Sequence, residues 1–244
     1  MPNICLRYAM NEQELYDMLS LNESLFTCAR GCISRYNKIQ TMLSHFKRRL
    51  AEGGLHIGGY LGSGSCGVAF EIKDKPGHML KITKDANEAA LCSLIKQKEL
   101  RNVCPVKEVF AFEDTGHYGI IEKRLERLDN KDDVFMKVME SQNIHDIINR
   151  HIRGDIDESV AYRFAEASTN NIGAYHSINE RRKAGRAIKQ ILNAIREIRE
   201  FAFPDLSKSN TMKQGNTYYL IDMKLRDDKY SVDEIINQIP VLRR

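Results

Sequence analysis

The chain has 244 residues, of which 42% are hydrophobic and 29% charged, with a formal net charge of +4. That length suits one large domain or two small lobes with a proper core, and the charge is too mild to imply a nucleic-acid partner without a clustered basic patch. No apolar run reaches the length of a membrane span and no signal-peptide pattern opens the chain, so no membrane partner is expected. The six cysteines include no Cys-x-x-Cys pair and no zinc-like Cys/His spacing, so they read as free thiols in a reducing cytoplasm.

Residues 1–54 read as a helical N-terminal extension. Asn11 with Glu14 suits a capping box, followed by an apolar stripe of Leu15, Met18 and Leu19. A longer helix over about 24–51 places Ala29, Cys32, Tyr36, Ile39, Leu43, Phe46 and Leu50 at alternating gaps of three and four. Such a seam is expected to dock, either on the body of the same chain, on a second copy as a homodimer, or on a partner. Gly53-Gly54 is expected to stop the helix.

From Leu55 the pattern turns to short β-rich segments. Ile57–Leu61, Val68–Ile72, His78–Thr83, Val106–Glu113 and Gly119–Lys123 read as five strands, and Asn87–Leu100 as one helix between the third and fourth. The turns Asp74-Lys75-Pro76-Gly77 and Asp114-Thr115-Gly116 separate strands. Helical periodicity returns over Asp132–Arg150, Asp157–Ile172 and Arg182–Phe201. A hairpin across Lys213-Gln214-Gly215-Asn216 and a last helix near Val232–Gln238 follow.

Four chemical features lie along these elements in order. Leu61-Gly62-Ser63-Gly64-Ser65-Cys66-Gly67 joins two strands, so its backbone can lie over phosphates without side chains in the way. Lys81 sits in the apolar strand Met79-Leu80-Lys81-Ile82, where a lysine is costly unless paired. Glu88, on the first turn of the next helix, is its best partner, and Glu99 is the alternative. Asp205 follows Phe203-Pro204, and Asn210 comes five residues later. Asp222 closes the run Tyr218-Tyr219-Leu220-Ile221. One carboxylate to accept a hydroxyl proton, with an amide oxygen and a second carboxylate to hold magnesium, is a phosphoryl-transfer set.

On these motifs, over roughly residues 57–224, the chain resembles the protein-kinase-like superfamily, in a compact form similar to bacteriophage and bacterial effector kinases. The resemblance implies a two-lobed α+β fold with a truncated C-lobe, the N-lobe over about 55–125 and the C-lobe over 126–244. It implies ATP under Leu61, Gly62, Ser63, Gly64, Ser65, Cys66, Gly67 and Ala69, with Lys81 on its phosphates and Glu88 orienting Lys81. Glu122 to Arg124 become the hinge beside adenine, Asp205 the base, Asn210 and Asp222 the Mg2+ ligands, and Lys208 a group within reach of the transferred phosphate. The implied activity is phosphorylation of serine or threonine in protein substrates, in the cytoplasm of the producing cell or of a host. Small-molecule phosphotransferases of the aminoglycoside or sugar type share the same base and metal residues, and a pseudokinase scaffold is a third alternative.

The departures from the pattern are specific. Phe203-Pro204 stands where His-Arg usually precedes the base, so the arginine that reads a phosphorylated activation loop is missing. Met223-Lys224 replaces Phe-Gly, Ser207 takes the usual place of the lysine, and 22 residues follow Asp222. The expectation is a chain without a standard activation segment or a large peptide-binding subdomain.

Overall fold

The computed structural model describes residues 46–63, 67–113, 115–128, 142–171, 177–204 and 210–242. It divides into two compact units between His56 and Ile57. Of the first unit, residues 46–52 form helix α1. The Leu55 N–H donates to Leu50 O (2.8 Å) and the Gly54 N–H to Ala51 O (3.0 Å), with Gly54 at φ +76°. This paired closure about a left-handed glycine ends a helix without strain, as the Gly53-Gly54 pair predicts. Of the expected seam, Phe46 and Leu50 are described and buried; Ala29, Cys32, Tyr36, Ile39 and Leu43 lie outside the described residues.

In the second unit, β1 (Ile57–Ser63), β2 (Gly67–Ile72), β3 (His78–Thr83), β4 (Val106–Phe112) and β5 (His117–Lys123) form one antiparallel sheet in the order β1-β2-β3-β5-β4. Helix α2 (Ala86–Gln97) links β3 to β4. The sheet's two faces follow from the period-two alternation of strands. Phe70, Leu80 and Ile121 are in register on one face, while Ala69, Lys81 and Ile120 are in register on the other. Glycine is required at two close approaches between strands. A Cβ on Gly67 would lie 2.5 Å from Ile82 O, and one on Gly119 would lie 2.3 Å from the Phe110 ring.

The helical part comprises α3 (Gln142–Arg153), α4 (Glu158–Asn171) and α5 (Ile178–Ile198). In α5, Ile188, Ile191, Leu192, Ile195 and Ile198 form a continuous buried stripe, each worth roughly 1.5–3 kcal/mol on full burial. This stripe shares a core with Ala90, Leu91 and Ile95 of α2, Ile148 of α3 and Leu220. The helix begins four residues earlier than its apolar period suggests, because Ser177 and Glu180 make a reciprocal capping box. Asp157 caps α4 through Val160 N–H (2.8 Å) and Ser159 Oγ (2.7 Å), and these hydrogen bonds lower its pKa.

Short strands complete the unit: β6 (Glu126–Arg127), β7 (Ala202–Pro204), β8 (Thr211–Gln214), β9 (Thr217–Leu220) and β10 (Met223–Leu225), followed by helix α6 (Val232–Ile236). β6, β8 and β9 form one small sheet, and β7 pairs with β10 in another. Among the described residues, no helix is long and apolar enough to cross a membrane.

Candidate active site

Two short-range devices create the first half of the site. Strand β3 holds Lys81 between Ala69 of β2 and Ile120 of β5. Two residues past the strand, the Asp85 carboxylate accepts from the N–H groups of Asn87 (2.9 Å) and Glu88 (3.2 Å), which starts α2 and fixes Glu88 in its first turn. Lys81 Nζ then donates to Glu88 Oε1, with both side chains mostly shielded. Burial works against the Lys81 charge, but Glu88, beside it and hydrogen-bonded to it, more than offsets this, so the pKa is raised and the ammonium persists. Glu88 Oε2 is buried with no hydrogen-bond partner among the described residues. Glu99 lies past the end of α2 and is exposed.

Glu122 belongs to this group. Met79 faces it in register and Ile120 faces Lys81, so Glu122 and Lys81 are diagonal neighbours on one sheet face. Cys104 Sγ donates to Glu122 Oε2 at 3.7 Å. Burial pushes the Glu122 carboxyl up to about 7; Lys81 opposes the rise, Glu88 adds to it, the Cys104 thiol opposes it and Asp222 adds to it. Burial, with the Glu122 charge next in weight, likewise drives the Cys92 and Cys104 thiols far upward, so both stay protonated and unreactive.

The second half rests on a hairpin. β8 and β9 pair with Thr211 opposite Leu220, and the next step of the ladder is the Ile221 N–H donating to Asn210 O at 2.8 Å. Asn210 is therefore buried at the open end of the hairpin, and Asp222 follows Ile221 as an exposed residue. Asp222 has φ +52° and is the one non-glycine residue with positive φ among those described. Aspartate tolerates this region better than most residues, and such conformations cluster at functional sites. The hairpin is tied to the large sheet through residues 102–104. Leu220 N–H donates to Asn102 O (2.8 Å), Cys104 N–H donates to Leu220 O (3.0 Å), and Cys104 in turn reaches Glu122. Across the β7–β10 ladder, Pro204 faces Met223, the residue after Asp222.

Lys81 and Glu88 are joined, and the Asp222 charge is felt at Glu122 and Cys92 on their side of the sheet. Leu61, Gly62 and Ser63 end β1, while Gly67 and Ala69 lie in β2. Gly64, Ser65 and Cys66, with Asp205 and Lys208, lie outside the described residues. Of the residues expected at the hinge, Glu122 and Lys123 end β5 and Arg124 follows it. The Arg124 guanidinium pairs with Glu71 at 2.6 Å, and the N–H groups of Lys123 and Arg124 donate to Pro105 O (3.0 Å) and Gly77 O (2.8 Å). The side chain of Glu122 turns to Lys81 and Cys104, not outward with Arg124.

Cys104 and Arg127 join the site without a sequence signal. Arg127 Nη2 lies 3.8 Å from where a Gly62 Cβ would stand, so β6 brings a guanidinium to the end of β1. Among the described residues, no group of three His, Cys, Asp or Glu side chains could hold a metal ion. The Asn210 amide and Asp222 carboxylate are hard oxygen donors, which is the donor chemistry that suits Mg2+.

A five-stranded antiparallel sheet with one crossing helix, a strand lysine paired to that helix, and a hairpin carrying Asn and Asp define the architecture. This is a mixed α/β architecture whose five-stranded sheet and single helix match the elements expected from the sequence for residues 55–125.

The sequence matches no protein-family model and no curated protein. Among solved structures, a mutant PknI kinase domain from Mycobacterium tuberculosis is 12% identical over 69% of this chain and 58% of that one, at TM-score 0.34. A double mutant of that domain gives 12%, 69%, 60% and 0.34. A thermostable mutant of the aminoglycoside phosphotransferase APH(4)-Ia, in ternary complex with AMP-PNP and hygromycin B, is 12% identical over 73% of this chain and 71% of that one, at TM-score 0.38. The chain thus spans about three fifths of the mycobacterial domains it matches, and the chemistry of its site rests on its own residues.

Proposed function

We propose that this protein transfers the γ-phosphoryl group of ATP to a hydroxyl with the aid of Mg2+, and that the acceptor is a serine or threonine of a cytoplasmic protein. The observation that carries the first part is the Lys81–Glu88 pair. A lysine on the third strand, held charged and oriented by a first-turn glutamate, is the arrangement that positions ATP phosphates in kinases. Asn210 and Asp222 are the residues to hold the metal, which when bound neutralises charge on the phosphate oxygens.

In this mechanism the chain works mainly by positioning. The motif Gly62-Ser63-Gly64-Ser65-Cys66-Gly67 supplies backbone N–H groups for the phosphates without bulky side chains, and Lys81 supplies a fixed cation. Asp205 accepts the proton of the attacking hydroxyl, and Lys208 stands three residues on to meet the transferred group. Holding the two reactants in line supplies most of the acceleration expected of such a site.

The donor-side residues do not choose the acceptor, so the test has two arms. Purified protein is incubated with labelled ATP and Mg2+, first with a total protein lysate and then with a panel of aminoglycosides and sugars. Label in protein that is lost with Asp205→Asn supports the proposal in full. Label in small molecules alone moves the activity to the small-molecule phosphotransferases. No nucleotide binding at all leaves the fold as a scaffold and overturns the enzymatic reading.

A further inference from the structure

Strand β4 is the outer strand of the sheet, yet its free edge is occupied at one point. The Ala111 N–H donates to Pro240 O and the Leu242 N–H donates to Ala111 O, both at 2.9 Å, with Val241 bridged in parallel to Ala111. The segment that reaches this edge comes from α6, which packs against α2. Between the two anchor points Ile239 is buried in a small cluster with Ala89 and Cys92 of α2, Val109 of β4 and Ile120 of β5, with Ile236 packed on it.

The members of that cluster are the neighbours of the site. Ala89 adjoins Glu88, Cys92 lies one turn further along α2, and Ile120 faces Lys81 in the β3–β5 register. The same helix is held on its other side by Ala90, Leu91 and Ile95 in the larger core. α2 is therefore packed from two directions. These two packings act on the helix whose first turn the Asp85 cap starts and which carries Glu88 to Lys81.

We propose that residues 236–242 form a latch that clamps α2 in the position where Glu88 pairs with Lys81, with Ile239 as the positioning residue. The inference rests on the phosphotransferase reading for its effect on turnover, and on packing alone for its effect on α2. Ile239 touches no substrate; it acts through the helix. A displacement of about 1 Å at a distance from the chemistry can cost up to about 100-fold in rate, so a loosened first turn is expected to lower turnover by about 10- to 100-fold.

The test compares Ile239→Ala, Ile239→Val and Leu242→Pro, the last of which removes the N–H that binds Ala111 O. Hydrogen exchange of the native proteins should quicken in α2 for Ile239→Ala and Leu242→Pro, stay unchanged in α5, and return to wild-type values in Ile239→Val. Phosphoryl transfer should fall in the first two variants and recover in the third. In a Glu88→Gln background, Ile239→Ala should cost nothing further, because the interaction through which it acts is already lost. Unchanged α2 exchange in both disruptive variants, or fully additive losses in the double mutant, overturns the latch. If Ile239→Ala fails to fold, Leu242→Pro alone decides the exchange result. Absence of ATP binding by the wild-type protein defeats the phosphotransferase reading instead, and the α2 exchange still decides the latch.

Discussion

The two halves of the site are held by different means. Lys81 and Glu88 stand seven residues apart on a strand and a capped helix, shielded by packing on both sides of α2. Asn210 and Asp222 flank a hairpin, and Asp222 is exposed in a left-handed backbone conformation. The lysine half is fixed by burial and pairing, the aspartate half by backbone geometry. Substitutions of side chains should therefore tell most about the first, and substitutions that change backbone freedom most about the second.

The largest expected effect is on the buried pair. Glu88→Gln removes the charge that keeps Lys81 oriented and should reduce phosphoryl transfer by roughly 10²–10³, the scale seen when one electrostatic contact to a transition state is lost. Glu99→Gln should change the rate little, since Glu99 lies exposed beyond α2. Initial rates with labelled ATP check both. Equal losses in the two variants would contradict the assignment of Glu88 to Lys81.

The same contrast explains what the sequence could disclose. The lysine half was legible because its signals are local: an apolar strand interrupted by Lys81, then a capped helix with Glu88 in its first turn. The five large strands and the three long helices follow their periodicities, although α5 starts at Ile178 and not Arg182 because a polar capping box precedes the apolar stripe. β7 and β10 have three residues each and β6 has two, too few for any period to emerge. The placement of Glu122 diagonal to Lys81 was not legible, because nothing in a sequence gives the strand register that sets it there. The pairing of Ala111 with Val241 spans most of the second unit and leaves no local trace. Long-range register, not composition, is what escaped.

The next effect in size is a pH dependence of stability centred on Glu122. Its carboxyl is raised from an ordinary 4.5 to about 7, first by burial. In the window between these values the folded protein retains a proton that the unfolded chain has released. The contribution of this group to stability therefore falls as pH rises from about 4.5 to about 7 and levels off above, by on the order of 3 kcal/mol. Below 4.5 both states hold the proton and this contribution is flat. Glu122→Gln should remove the slope and leave the variant more stable than the wild type at pH 8. Urea unfolding of both proteins at pH 5, 6, 7 and 8 measures it, and a stability difference between wild type and Glu122→Gln that stays constant across that window would count against the buried position of this carboxyl.

The smallest effect separates the backbone of Asp222 from its carboxylate. Asp222→Gly and Asp222→Ala both delete the candidate metal ligand, so both should lose Mg2+-dependent strengthening of nucleotide binding to the same extent. They should differ in stability. At φ +52° glycine is unstrained, whereas an alanine Cβ meets the neighbouring carbonyl oxygen, a cost of about 1 kcal/mol or somewhat more. That difference outweighs the extra entropy glycine gives the unfolded chain, because alanine gains from reduced unfolded-state freedom only where the native φ suits it. Urea midpoints should therefore place the glycine variant above the alanine variant, with equal denaturant slopes. The reverse order would mean that the left-handed turn is imposed by the aspartate side chain and relaxes once that side chain is gone, and the aspartate half of the site would then depend on side-chain contacts as the lysine half does.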